Sequence, residues 1–222
     1  EIPLRLVGSE MCIRDSIAAL ISRPDDQSIS QLRYEGYVSA LEELGLPFDP
    51  ELVISTGGFN IKDAYNAVSE KLHQGAEFTA LFAIADNMAI GAMRALADAG
   101  VRVNMTLVFS PTQALMAANA GARYISPFVG RFDDIAEDGI SQLDNVVTCI
   151  KNYDWTGKNV DDTVEIITAS VRTPNHVTQA ALLGADIATV PMAALKKCLH
   201  HPLTDQGLAS FEADWKKVVE AQ

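Results

Sequence analysis

Two arginines lie just past the ends of predicted strands, where a guanidinium group could hold a phosphate. Arg131 follows the strand-like segment 123–129 (RYISPFV), and Arg172 follows the segment 162–170 (DTVEIITAS). The planar fork of an arginine side chain fits the geometry of a phosphate group. A single arginine in this position is more commonly a solvated surface charge, so the residue type alone leaves both interpretations open.

Small polar residues on predicted strands could also contact a ligand. Asn104 and Thr106 alternate in the segment 103–109 (VNMTLVF), so both side chains can point to the same side of that strand. Ser126 and Ser170 lie on two further predicted strands. A single hydroxyl on a strand is usually a satisfied core group, so each of these residues, taken alone, predicts little.

The elements that must position these residues alternate between helix and strand from Asp25 onward. Predicted strands lie at 51–56, 78–86, 103–109, 123–129, 162–170 and 186–191, with amphipathic helices between them. The continuous apolar run 78–86 predicts a strand that is buried on both sides. Strands separated by helices of this length predict βαβ units, an α/β fold class and parallel pairing.

The composition excludes several function classes. The chain has 222 residues and a net charge of −12, which disfavours binding to nucleic acid. No apolar run approaches the roughly 20 residues needed to cross a bilayer, so we expect no membrane association. Cys12, Cys149 and Cys198 show neither a pairing pattern nor metal-ligand spacing, which predicts a reducing, cytoplasmic location. The histidines show no ligand spacing either, and we expect no metal.

Residues 102–222 resemble the small single-domain transaldolases, the group that includes fructose-6-phosphate aldolase. The resemblance rests on three long segments, 102–139 (RVNMTLVFSPTQALMAANAGARYISPFVGRFDDIAEDG), 166–191 (IITASVRTPNHVTQAALLGADIATVP) and 201–215 (HPLTDQGLASFEADW). It implies a TIM (β/α)₈ barrel, of which these segments would form the fifth to eighth strands and the closing helices. The active site of such a barrel lies at the C-terminal ends of its strands. The resemblance implies no metal or organic cofactor.

The resemblance also implies roles for the polar residues. Asn104 and Thr106 match residues that hydrogen-bond the substrate, and the threonine helps to orient a catalytic water. Ser126 would line the same pocket. The positions that hold the sugar phosphate are matched by three further residues, Arg131, Ser170 and Arg172.

The nucleophile that such an enzyme needs is missing from the expected place. Transaldolases form a Schiff base through a lysine on the fourth strand, whose buried, deprotonated amine attacks the ketose carbonyl. The segment 79–86 (TALFAIAD) would take the place of that strand, and it contains no lysine. Every lysine lies in a helical, loop or terminal pattern, and Arg102 stays protonated and cannot act as the nucleophile. We therefore expect no transaldolase or aldolase turnover.

Residues 25–101 resemble the ligand-binding domain of the lactose-repressor family, which has flavodoxin-like lobes around a sugar. The resemblance rests on the segments 28–54 (SISQLRYEGYVSALEELGLPFDPELVI) and 78–100 (FTALFAIADNMAIGAMRALADAG). It implies that Arg33 and Asp86 bond sugar hydroxyls. Arg33 could instead be a surface charge of its helix, and Asp86 is a favoured N-cap for the helix that follows it. The alternative function is therefore a sugar-binding effector fragment of a transcription regulator, without its DNA-binding helices.

The two resemblances meet between about Ala99 and Val103. We predict an adapter-like segment at 1–16 outside the fold, a periplasmic-binding-protein-like fragment at 17–101 and a transaldolase-like half barrel at 102–222. A chimeric assembly of two unrelated coding sequences explains this junction most simply. The alternatives are a genuine gene fusion and an open reading frame without function. The predicted partner is a sugar phosphate or a sugar. The related aldolases assemble into rings, so a homo-oligomer is compatible with the resemblance, but the sequence leaves the oligomeric state open.

Overall fold

The structure, a computed structural model, describes residues 16–22, 29–158 and 161–220. Residues 1–15, which include Cys12 and nearly all of the predicted adapter-like segment, lie outside the described residues. Within the described ranges, no helix is long and apolar enough to cross a membrane.

The first half of the chain forms a three-stranded parallel sheet with the strand order β2-β1-β3. Its elements are β1 (Ile17–Ser22), α1 (Ile29–Glu43), β2 (Val53–Thr56), α2 (Ile61–His73), β3 (Ala80–Ala83) and α3 (Asp86–Asp98). Ala19 lies opposite both Val53 of β2 and Phe82 of β3, so both neighbours run in the same direction as β1. The predicted alternation of strand and helix is confirmed in this part of the chain.

The central strand of this sheet is β1, which was not among the strands predicted from the sequence. Ala18, Ala19 and Leu20 have no exposed surface, because β1 is covered on both faces and paired along both edges. The prediction that the apolar run 78–86 is buried on both sides is wrong. Among the described strands, β3 pairs only with β1, and 41% of Phe82 is exposed.

Helices α2 and α3 approach each other closely at Gly91. A Cβ atom at this position would lie 2.8 Å from the Cβ of Ala64 and 2.9 Å from the backbone N of Tyr65. Both distances are shorter than van der Waals contact, so only glycine fits here without displacement of α2. At the start of α2, Asn60 caps the helix by accepting a hydrogen bond from the Asp63 backbone N–H at 2.8 Å.

The second half of the chain forms a four-stranded sheet with the order β4-β5-β6-β7. Its elements are β4 (Asn104–Val108), α4 (Pro111–Asn119), β5 (Tyr124–Pro127), α5 (Val129–Asp133), α6 (Gly139–Lys151), β6 (Glu165–Thr168), α7 (Pro174–Leu183), β7 (Ile187–Ala188), α8 (Met192–Cys198) and α9 (Pro202–Glu220). β6 and β7 pair in parallel, with Ile167 opposite Ile187. The fold class is α/β with parallel βα units, as predicted.

The backbone divides into two compact units. Unit 1 contains the described residues up to Met105 together with Thr112–Ile125 and Tyr153–Val164, and unit 2 contains Thr106–Pro111, Ser126–Asn152 and the described residues from Glu165 onward. The core of unit 1 surrounds β1 and includes Leu20, Ile21 and Met88. In unit 2, Leu143 and Ile166 have no exposed surface.

Candidate functional site

The candidate site of unit 2 lies where β5 and β6 end side by side. The Ala169 backbone N–H donates to the Pro127 carbonyl at 2.9 Å, and the Val129 N–H donates to the Ala169 carbonyl at 3.1 Å. These bonds hold the segment after β6 against the start of the short helix α5. Phe132 of α5 is buried and meets the ring of Phe109 edge-on, with 5.6 Å between the ring centres.

Gly130 lets the two segments approach each other. A Cβ atom here would lie 2.6 Å from Nε of Arg172 and 2.9 Å from Oγ of Ser170. Ser170 adopts a left-handed backbone conformation with φ 59°, which is uncommon for a residue other than glycine. Glycine at position 130 and this turn at position 170 together place Ser170 and the Arg172 guanidinium beside the backbone of α5.

The Arg172 guanidinium holds the Asp134 carboxylate in a two-pronged ion pair. Its Nη2 donates to Oδ2 at 2.6 Å, and its Nη1 donates to Oδ1. This hydrogen bonding lowers the pKa of Asp134 below its ordinary value and raises the pKa of Arg172. Arg131, whose side chain is 63% exposed, lies 3.9 Å from the same Asp134 carboxylate. The site therefore has one guanidinium group that binds the oxyanion position and a second one within 3.9 Å of it.

His176 supports Arg172 from the helix that follows it. Its Nδ1 accepts a hydrogen bond from the Arg172 backbone N–H at 3.3 Å, and its Nε2 lies 3.1 Å from Oδ2 of Asp133. His176 is 8% exposed as a whole residue and lies in the first turn of α7, which Thr173 caps by accepting from the His176 N–H at 3.2 Å. The spacing of the histidines in the sequence was informative only about metal binding and did not indicate this role. The segment 173–176 (TPNH) has the cap-and-proline pattern that could have placed His176 on the first helical turn.

Two buried hydroxyl groups lie on the neighbouring strands of this site. Ser126 on β5 is 3% exposed, and Thr168 at the end of β6 has no exposed surface. Among the described residues, the Thr168 Oγ1 has no hydrogen-bond partner, and no sequence pattern pointed to this threonine. Its carbonyl accepts a hydrogen bond from the Thr189 N–H at 3.0 Å, which ties the end of β6 to the segment after β7.

The remaining predicted substrate residues lie on β4. Asn104 and Thr106 are both exposed. The described contacts connect the three residues predicted to hold phosphate, namely Arg131, Ser170 and Arg172. These contacts assign no common site to Asn104, Thr106 and Ser126, so a shared substrate pocket for those three stays a prediction.

Of the two predicted sugar-binding residues of unit 1, Arg33 contacts the segment after β3 that leads to Asp86. Nη1 of Arg33, on α1, donates to the carbonyl of Ile84, two residues before Asp86. The buried hydroxyl of Ser22 on β1 is hydrogen-bonded to the hydroxyl of Ser30 on α1, the helix that carries Arg33, at 2.8 Å. The carboxyl ends of the strands are where parallel α/β sheets bind ligands.

The predicted capping role of Asp86 is wrong. Helix α3 begins at Asp86, and its N-cap is Ala85, which provides no side-chain hydrogen bond. The reason is that the first helical hydrogen bond runs from the Ala89 N–H to the Ala85 carbonyl, so the helix starts one residue earlier than predicted. The carboxylate of Asp86 is exposed in the first turn, where the helix dipole favours a negative charge.

The lysines occupy the places that the sequence analysis predicted. They lie on α2 (Lys62, Lys71), α6 (Lys151), a turn (Lys158), α8 (Lys196, Lys197) and α9 (Lys216, Lys217). None of the described strands carries a lysine. Among the described residues, there is also no group of three His, Cys, Asp or Glu side chains that could hold a metal ion.

Two protein families match this chain. Residues 85–222 match the family described as transaldolase/fructose-6-phosphate aldolase. Residues 14–104 match the periplasmic binding protein-like domain. The two matches overlap at residues 85–104, which includes the predicted junction between Ala99 and Val103.

The curated relatives carry the name "Probable transaldolase". One from Desulfosudis oleivorans is 56% identical over 126 residues, which cover 57% of this chain and 56% of the relative. The chain thus spans about half the length of this relative. Another from Geotalea daltonii is 37% identical over 202 residues, which cover 91% of this chain and 78% of the relative.

Among solved structures, one match is a sugar-binding transcriptional regulator of the LacI family from Escherichia coli. It is 37% identical, with a TM-score of 0.38, and the match covers 40% of this chain and 32% of that protein.

Proposed function

The chain belongs to the transaldolase/fructose-6-phosphate aldolase family, and on this premise we propose that its C-terminal half binds a sugar phosphate without catalysing aldol transfer. The proposed phosphate ligands are Arg131, Ser170 and Arg172. The observation that carries the proposal is the two-pronged pairing of the Arg172 guanidinium with an oxyanion, the Asp134 carboxylate.

The surroundings of Arg172 suit a phosphate ester. A guanidinium that already holds two carboxylate oxygens can hold two phosphate oxygens in the same plane. Arg131 adds a second positive charge 3.9 Å from the same position. Because Gly130 has no side chain, there is room beside it for the Ser170 hydroxyl. A Cβ atom at position 130 would lie 2.9 Å from this hydroxyl. These groups can bind the phosphate of a sugar and leave the sugar itself free to vary.

The proposed lack of turnover rests on the positions of the amines. A Schiff-base lysine must be buried and deprotonated at the mouth of the barrel. Lys151 is 47% exposed and pairs with Asp186 at 3.3 Å, and Lys71 pairs with Glu51 at 3.3 Å. An amine that is exposed and held in an ion pair is a poor nucleophile, so we expect no covalent ketose adduct.

Borohydride trapping combined with a binding measurement tests both parts. We expect that fructose 6-phosphate with borohydride adds no mass to the protein in mass spectrometry. Calorimetric titration should show binding that Arg172→Ala weakens by at least about tenfold, the loss expected for one charge-assisted fork. Arg102→Ala is the matched control, since Arg102 also pairs with an aspartate and is 59% exposed. A trapped adduct would refute the lack of turnover, and equal binding by Arg172→Ala would refute the phosphate site.

A second candidate function is reversible binding of an unphosphorylated sugar in unit 1. It is favoured by the hydrogen bond from Arg33 to Ile84 at the same sheet edge as Asp86, and by the periplasmic binding protein-like match over residues 14–104. Asp86→Ala should abolish binding of a free hexose and leave phosphate binding unchanged. Binding of phosphorylated sugars alone would exclude this second function.

The proposed assembly and location follow from other parts of the chain. Helix α9 buries none of its residues, and Phe211 and Trp215 are 74% and 68% exposed on it. Such an apolar face favours a homo-oligomer, as in the related aldolases. The cysteine pattern favours a cytoplasmic location.

A further inference from the structure

The oxyanion position of unit 2 is already occupied by a group of the chain itself. Both oxygens of the Asp134 carboxylate accept from Arg172, and Oδ2 also faces Arg131 at 3.9 Å. The edge of a guanidinium that Nη1 and Nη2 form can bind only one bidentate anion at a time. A phosphate that approaches Arg172 along this edge therefore meets a carboxylate in its place.

Asp134 can leave this position without a burial penalty. It follows the last residue of α5, and its carboxylate is 41% exposed, so a change of side-chain rotamer returns it to water. Its backbone is fixed independently, because the Asp134 N–H donates to the Gly130 carbonyl at 3.3 Å. Displacement of the side chain therefore need not disturb α5.

We propose that Asp134 is an internal competitor for the phosphate position and thereby determines which anions the site accepts. This inference rests on the proposed function, since it requires phosphate to bind at Arg172. A phosphate dianion can displace Asp134, because it brings a larger charge and a third oxygen that can reach Arg131. A carboxylate ligand, such as a sugar acid, offers Arg172 the same group that Asp134 already supplies, so it gains nothing by the exchange. Asp134 thus makes the site selective for phosphate esters over sugar acids.

Removal of the Asp134 charge tests the inference. Inorganic phosphate and gluconate serve as probes in calorimetric titrations of the wild type, Asp134→Asn and Asp134→Ala. We expect about threefold to fivefold tighter binding of phosphate by both variants, the range that an exposed ion pair supports, and measurable binding of gluconate only by the variants. Glu137→Gln is the matched control, because it removes one exposed charge three residues away and should leave both affinities unchanged.

The outcomes separate this inference from the proposed function. If Arg172→Ala abolishes phosphate binding while both Asp134 variants bind phosphate no more tightly than the wild type, the competition is refuted and the phosphate site stands. If Arg172→Ala binds phosphate as the wild type does, the proposed site itself fails. Should the Asp134 variants fold poorly, carbon-13 NMR of the wild-type protein decides. Addition of phosphate should move the Asp134 carboxylate signal toward that of a free aspartate, and an unmoved signal in a phosphate-saturated protein would overturn the inference.

Discussion

The Arg172 backbone N–H donates a hydrogen bond to Nδ1 of His176, one helical turn further along the chain, at 3.3 Å. Because Nδ1 accepts, the neutral ring carries its hydrogen on Nε2, which points to Oδ2 of Asp133 at 3.1 Å. His176 thus connects the start of α7 to the end of α5. The same loop that carries the guanidinium of Arg172 is held in place by this ring.

Replacement of His176 should weaken phosphate binding although the ring does not contact the proposed phosphate position. In His176→Ala the Arg172 N–H loses its acceptor, and we expect phosphate affinity to fall by about fivefold, in keeping with one lost hydrogen bond. His176→Asn keeps an acceptor near Nδ1 and should retain most of the affinity. Calorimetric titration of both variants measures the difference. Equal losses in the two variants would show that packing, and not this hydrogen bond, supports Arg172.

Substitution of Gly130 should displace both proposed phosphate ligands beside it. The added Cβ of Gly130→Ala would stand 2.6 Å from Nε of Arg172, so the guanidinium must move away. We expect phosphate affinity to fall by about tenfold or more and thermal stability to fall as well, since overpacking costs about 1–3 kcal/mol. Gly36→Ala in α1 is the control, because its Cβ would meet nothing within 4 Å. That change should stabilise the helix slightly and leave binding unaffected.

A corresponding change in unit 1 should affect stability without affecting the phosphate site. In Gly91→Ala the added Cβ would stand 2.8 Å from Ala64, which forces α2 and α3 apart. We expect a loss of about 1–3 kcal/mol in the free energy of unfolding, measured by urea titration. Gly207→Ala in α9 has open space around the added Cβ and should cause no loss. A stable Gly91→Ala variant would show that the two helices can separate freely.

The presence of most strands could be predicted from the sequence, whereas their central or edge positions within the sheet could not. The segment 78–86 is the longest apolar run in this region and looks central, yet β3 is an edge strand. β1 takes the centre because both β2 and β3 pair with it, and strand pairing is a tertiary property that hydropathy does not carry.

The candidate site shows a similar division. Arg131, Ser170 and Arg172 could be found from their places after strands and from family resemblance. Asp134 and His176 could not, because their importance lies in hydrogen bonds to Arg172 that join separate elements. A polar residue in a loop or a first helical turn carries no signal in one sequence that distinguishes such a contact from solvation.

The N-cap of α6 should make stability depend on pH in the acid range. Asp138 accepts from the side chain and the backbone N–H of Ser141 and from the Ile140 N–H, and these bonds lower its pKa below the ordinary value of 3.8. A lowered folded-state pKa means that the stabilisation is complete above 3.8 and is lost as the pH falls through the folded-state value. Asp138→Ala should therefore cost about 1 kcal/mol at neutral pH. In urea titrations, the difference from the wild type should shrink below pH 3.8, and a difference that grows there would contradict this role.

Helix α9 should contribute to association and little to folding. Leu208, Phe211 and Trp215 lie on one face at helical spacing and are 63%, 74% and 68% exposed, and none of the helix is buried. The double variant Phe211→Asp with Trp215→Asp should therefore change the free energy of unfolding by less than about 0.5 kcal/mol. Leu143→Ala, at a position with no exposed surface, should cost about 2–5 kcal/mol in the same urea titration. Sedimentation at several concentrations should show a larger mass for the wild type than for the double variant. If the double variant unfolds much more easily and its mass is unchanged, α9 packs on its own chain in solution, and its proposed role in association is refuted.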